Sequence, residues 1–321
     1  MNRRKFIGLG GAAVAGTYIG MKLQKPPKVS DGPRGQSPVA ILRARSYSDD
    51  LVSRMLEGIR ECGLEVRGKR VLLKPNLVEF DPHTVINTDA TVIAAAVETF
   101  HQLGASQVLI GEGPGHRRDT MDMADDAKYR VTIPKFESIF TDLNRDDVSP
   151  VHGFAGEPEF YFANTVLAAD LIVSLAKMKT HHWAGATLSM KNLFGLVPGS
   201  VYGWPKNKLH YIGISESIVA LNRTFRNTFA IVDGIVGMEG NGPIQGTPKP
   251  VGVLVMGRDL VAVDATCCRI MGIDPEKVPY MRMAADLGHV HPARIDQRGE
   301  TLASVRNNFE LMPQYRQLRL A

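Results

Sequence analysis

The chain is 321 residues long with 44% hydrophobic and 22% charged side chains, enough to bury a sizeable core. Its formal charge is +5, but residues 1–30 hold Arg3, Arg4, Lys5, Lys22, Lys25 and Lys28 with no acid, and subtracting those six leaves −1 for the rest. A near-neutral body without a basic stripe argues against nucleic acid as a partner.

The first element is a leader. Arg3 and Arg4 stand before an uncharged run from Phe6 to Met21 that is rich in Gly and Ala, the pattern of a twin-arginine export signal. The run is shorter than the ~20 residues that span a bilayer, so the expectation over 1–25 is a signal cleaved near Ala13-Val14-Ala15 rather than a permanent anchor. This predicts passage through the twin-arginine translocase to a periplasmic or other extracytoplasmic location, with membrane contact only through an uncleaved leader. A linker rich in Pro, Lys and Gly occupies 26–38, followed by an α/β domain over 39–300 and a C-terminal tail over 301–321.

Within the domain, short β-branched runs at 39–42, 70–73, 107–110, 171–175, 229–232 and 251–256 predict strands. Helical patterns at 90–103, 211–225, 259–271 and 275–287 alternate with them. The alternation implies a mixed, mostly parallel sheet flanked by helices. Unusual polar residues fall just after four of the strands: Lys74-Pro75-Asn76, Glu112-Gly113-Pro114-Gly115-His116, the segment Lys177 to His182, and Asp233-Gly234. In such folds ligands bind outside the strand carboxyl ends, so these segments are expected to converge on one crevice.

Lys177-Met178-Lys179-Thr180-His181-His182-Trp183 combines ammonium groups, a hydroxyl and imidazoles, which suits a small anionic ligand; an ordinary solvated loop is the competing reading. Adjacent side chains on a strand point oppositely, so only one of the two histidines is expected to face the site. Lys191 and Asn192 follow in a short helix, and Tyr202 to Lys206 reads as an irregular loop over the site. Asp233 to Pro243 surrounds two carboxylates with glycines. Gly240 and Gly242 would let backbone amides approach an anion, while Asp233 and Glu239 would act as acid and base or hold a divalent metal. Candidate catalytic residues are therefore His181, Asp233 and Glu239. Candidate ligand-binding residues are Lys74, Asn76, Glu112, Lys177, Lys179, Thr180, Lys191, Asn192, Gly240 and Gly242. P-loop, dinucleotide and nucleophile-elbow spacings are absent.

The blocks at 71–78, 111–115, 175–181, 190–195, 233–243 and 260–265 together resemble the domain of unknown function 362 family. The resemblance implies an α/β scaffold; many of that family's members look like fusions to ferredoxin-type modules. Here Cys62, Cys267 and Cys268 are too few and wrongly spaced for a cluster, so no iron-sulfur centre is expected. The combined reading is an exported enzyme acting on a small anionic metabolite, with a non-catalytic anion- or metal-binding maturation protein of the cell envelope as the alternative.

Overall fold

A computed structural model describes residues 35–115, 118–204 and 206–320. The leader and most of the linker lie outside these residues, as does His116. Among the described residues no helix is long and apolar enough to cross a membrane.

Eleven strands are present among the described residues: β1 (Ser37–Arg43), β2 (Arg70–Pro75), β3 (Gln107–Glu112), β4 (Phe140–Asp142), β5 (Val148–His152), β6 (Glu159–Ala163), β7 (Leu171–His181), β8 (Gly185–Thr187), β9 (Thr228–Glu239), β10 (Thr247–Gly257) and β11 (Ile295–Gly299). The main sheet runs β11-β1-β10-β9-β7-β2-β3-β4, with β8 added to β7, while β5 and β6 form a separate hairpin. Pairings β9-β7, β7-β2, β2-β3 and β3-β4 are parallel, and β10 is antiparallel to both β9 and β1. This is the mixed, mostly parallel α/β sheet that the alternating pattern implies.

Both faces of the sheet are covered. On one, helices Leu51–Glu61 and Ala90–Gln102 pack Met55, Ile59, Ile93 and Phe100 against Val71, Leu73 and Val173. On the other, helices Ile214–Thr224 and Leu260–Ile270 pack Ile218, Leu221, Val263 and Cys267 against Ile172, Ala230 and Val255. A strand at the centre of such a sandwich reads as continuously apolar, and all eleven residues of β7 are buried. The helix ends follow local chemistry: Asp89 and Asp259 accept backbone N–H groups of the first turns of their helices, satisfying donors that have no intrahelical partner.

Several boundaries differ from the expectations. β7 continues six residues past 175, so Lys177, Lys179, Thr180 and His181 are strand residues rather than a solvated loop. β9 likewise runs to Glu239, making Asp233 to Glu239 a ladder with β10 instead of a glycine-rich turn. The helical pattern at 211–225 is split by Gly213, whose φ of 109° ends one helix and starts the next. The pattern at 275–287 shrinks to the short helix Pro279–Met283, because Pro279 cannot donate into a continuous helix. At its C-terminal end the chain packs into the same body: Phe309 is fully buried, its N–H bonds Met271 O at 2.9 Å, and Leu318 is also buried.

Candidate functional site

From β2 the chain steps to β3 and β4 in one direction, while from β7 it steps to β9 and β10 in the other. The carboxyl ends of β2 and β7 therefore flank the topological switch point, where an open α/β sheet leaves a crevice. A cleft of about 310 Å³ lies there, with Lys74 and Asn76 from β2 and its end, Glu112 from β3, Lys179 and His181 from β7, and Lys191 among its lining residues.

The floor is a saturated polar network. Lys74 Nζ donates to Glu112 Oε2 at 2.5 Å, Pro75 O at 2.8 Å and Asn192 Oδ1 at 3.2 Å, so its three N–H groups have three acceptors. Lys179 Nζ is equally occupied, donating to Asn76 Oδ1 at 2.7 Å, Ile86 O at 2.8 Å and Pro243 O at 3.3 Å. Asn192 ties the two together: its Oδ1 also accepts from Asn76 Nδ2, and its Nδ2 donates to Lys74 O and Ser174 Oγ. Glu112 additionally accepts the N–H groups of Leu77 and Gly113. Burial pushes Glu112 up and Lys74 down in pKa, and their mutual attraction opposes both shifts. Burial, then Lys191, Lys177 and Lys74, lowers Lys179 far below the usual ammonium range.

Above this floor stand polar groups whose bonds are not used up. Lys191 Nζ lies 4.6 Å over the Phe194 ring and has no hydrogen-bond or carboxylate partner among the described residues. Burial and then Lys74 lower it to about 8. Thr187, opposite Lys179 in the β7-β8 ladder, has a buried hydroxyl without a partner among the described residues. Lys206 donates to Asn144 Oδ1 at 2.8 Å and to Val197 O, leaving one N–H unused, and burial lowers it to about 7. Buried polar groups are ordinarily paired, so unpaired donors gathered on one cleft mark a binding surface.

Two imidazoles complete the wall. His181 Nδ1 accepts the N–H groups of Trp183 at 2.9 Å and Ala184 at 3.1 Å, which places its proton on Nε2. Burial, then Lys191, holds this ring neutral, well below the ordinary histidine range. His182 Nδ1 bonds Gly242 O at 2.8 Å; a carbonyl only accepts, so here Nδ1 carries the proton. Both histidines line the cleft, contrary to the alternation expected of a strand, because β7 ends at His181 and the turn at 182–184 swings the next ring to the same side. Their centroids are 4.9 Å apart. His210 also lines the cleft, its Nδ1 bonded to Lys206 O at 3.1 Å.

Other expected residues sit elsewhere. Lys177 and Asp233 form a buried pair at 2.9 Å, joined by the Tyr47 hydroxyl, and Lys177 lines a separate cavity of about 250 Å³. Glu239 pairs with Lys249 at 3.1 Å and accepts Glu310 N at 2.8 Å, on the far part of β9. Thr180 spends its hydroxyl on Gly240 O at 2.9 Å, while Gly242 lies so close to the Thr180 carbonyl that a Cβ would collide with it. Thus Asp233, Glu239, Lys177, Thr180, Gly240 and Gly242 hold strands together instead of lining the cleft, and no three His, Cys, Asp or Glu side chains converge on a metal position among the described residues.

Sequence reasoning named Lys206 only as the end of a loop over the site and did not single out Thr187, His210 or Asp264. Asp264 sits inside a buried helix and accepts Ser189 N at 2.8 Å, Ser189 Oγ at 2.5 Å and Met190 N at 3.1 Å, anchoring the turn that carries Lys191. Burial raises its carboxyl to about 7 against those donors. A lone carboxylate in the apolar run Val261-Ala262-Val263-Asp264-Ala265 was the available signal, since such a group needs partners in the core.

Fold and cleft define an open α/β protein with a cation-rich crevice at its switch point. The chain belongs to the family described as domain of unknown function (DUF362), whose model matches residues 71–269. A thylakoid-associated protein of Synechocystis sp. is 29% identical over 266 residues, covering 78% of this chain and 79% of the relative. Among solved structures, the lactate racemase apoprotein of Thermoanaerobacterium thermosaccharolyticum matches 74% of this chain at 12% identity and a TM-score of 0.46. A Thermotoga maritima protein from a structural genomics programme matches 70% at 13% identity and a TM-score of 0.39. The matches span 58% and 59% of those two chains, less than two thirds of either, and likeness at this level carries no argument about activity.

Proposed function

We propose that the cleft binds a small anionic metabolite, bearing a carboxylate or phosphate, and that the protein is an enzyme acting on it through proton transfer. The supporting observation is the set of cleft groups without partners among the described residues: the Lys191 ammonium, the buried Thr187 hydroxyl and the Nε2–H of His181. Among the described residues the cleft's one carboxylate, Glu112, is already paired with Lys74, and Lys191 beside them has no counter-charge, an electrostatic setting that favours an anion over a divalent cation. Leu77, Phe194 and Ile214 give the rest of the wall an apolar surface for a carbon skeleton. The Arg3-Arg4 leader supports an extracytoplasmic setting for this activity.

The test is calorimetric titration of wild-type protein and Lys191→Met with inorganic phosphate and with acetate. Saturable binding lost in the variant supports the reading; equal heats in both proteins sink it. A carrier would show the same binding without turnover of any bound metabolite, whereas an enzyme converts it in a pH-dependent way.

A further inference from the structure

We infer that His181 and His182 form a fixed donor and acceptor pair in which His182, and not His181, takes the proton from the bound anion. The inference rests on the cleft being the anion site, and it assigns the roles there. Backbone groups set both tautomers. His181 Nδ1 has its lone pair committed to the N–H groups of Trp183 and Ala184, so the ring offers the cleft only a donor at Nε2. His182 commits its Nδ1–H to the Gly242 carbonyl, so its neutral ring offers a bare Nε2. Neither Nε2 has a partner among the described residues, and the rings lie 4.9 Å apart between centroids.

The arrangement follows from the fold. β7 ends at His181, its ring accepts the first two N–H groups of the following turn, and the loop after β9 delivers the Gly242 carbonyl to both the backbone and the ring of His182. Trp183 stands edge-on to His182 at 4.5 Å and limits its rotation. In the step the pair serves, a C–H or O–H bond of the ligand breaks and an N–H bond forms at His182 Nε2. The electron pair stays on the ligand, where the His181 Nε2–H and the Lys191 ammonium meet the charge. Charged and titratable groups that line the same cleft from other elements are Lys74, Glu112, Lys191, Lys206 and His210, with Lys179 two residues before His181 on β7.

Full-length protein labelled with 15N-histidine tests this, with His181→Gln and His182→Asn giving the assignments. Long-range 1H–15N spectra are expected to show the Nε2–H form for His181 and the Nδ1–H form for His182, with His181 staying neutral across about pH 5–8. Diethyl pyrocarbonate attacks a bare imidazole nitrogen, so His182 is expected to be modified and His181 spared, with inorganic phosphate slowing the reaction. The same tautomer in both rings, protonation of His181 in that range, or earlier modification of His181 would overturn the inference. Opposite tautomers with no phosphate protection and no phosphate-induced shifts would uphold the pair and sink the anion site.

Discussion

The ammonium of Lys74 and the carboxylate of Glu112 meet at 2.5 Å across the ends of two adjacent strands, with side chains only 2% and 1% exposed. Gly195 is packed so closely on them that a Cβ there would strike both. A buried pair is stabilising mainly in the sense that neither partner tolerates losing the other. Glu112→Gln is therefore expected to cost about 3–5 kcal/mol in urea unfolding, while the double change Lys74→Met, Glu112→Leu recovers most of that loss. If the single variant unfolds at the wild-type urea midpoint, the pair is not the keystone of the cleft floor.

Lys191 stands in contrast, because no hydrogen-bond or carboxylate partner among the described residues consumes its charge. Lys191→Met is expected to leave the fold at least as stable as wild type at neutral pH, because burial already disfavours the charged form of this side chain. Anion affinity should fall by roughly 10- to 100-fold, the equivalent of a charge-assisted hydrogen bond of about 1.5–3 kcal/mol. Chemical denaturation and phosphate calorimetry on the same samples separate the two effects.

Proton linkage supplies a third prediction. Lys206 is lowered to about 7 and Lys191 to about 8 from the usual 10.5, each by burial first. Between the folded and unfolded values the unfolded chain holds more protons, so these lysines make stability rise with pH from about 7 to 10.5 and weigh against the fold below it. Anion binding needs the ammonium forms and should weaken as pH rises through 7 to 8. Thermal unfolding across this range, with and without phosphate, should show the two opposite trends, and Lys206→Met should flatten the ligand-free one.

Asp264 acts at one remove from the ligand. Asp264→Asn loses a charged acceptor for Ser189 N, Ser189 Oγ and Met190 N. A loss of about 2–3 kcal/mol is expected, together with weaker phosphate binding as the Lys191 turn shifts. Ser189→Ala, which removes one of those bonds, should cost about 1 kcal/mol. Full phosphate affinity in a destabilised Asp264→Asn protein would show that the turn does not depend on this anchor.

Much of the architecture is written in local sequence. Apolar runs such as Leu171-Ile172-Val173 specify buried strands wherever helices cover both faces, and Lys74-Pro75 ends β2 where Pro removes the ladder donor. The order of these runs also places Lys74, Glu112 and His181 at one end of the sheet, since parallel strands align their carboxyl ends. What tertiary structure alone decided is which polar groups remain free. Lys179 and Lys191 are the same residue type twelve positions apart, yet Asn76, Ile86 and Pro243 consume the first and leave the second open. Asp233 looks as chemical as His181 in sequence, but Lys177 and Tyr47 hold it away from the cleft. Hydrogen-bond saturation depends on partners brought from distant parts of the chain, such as Asn192 to Lys74 across 118 positions, and no local pattern encodes it.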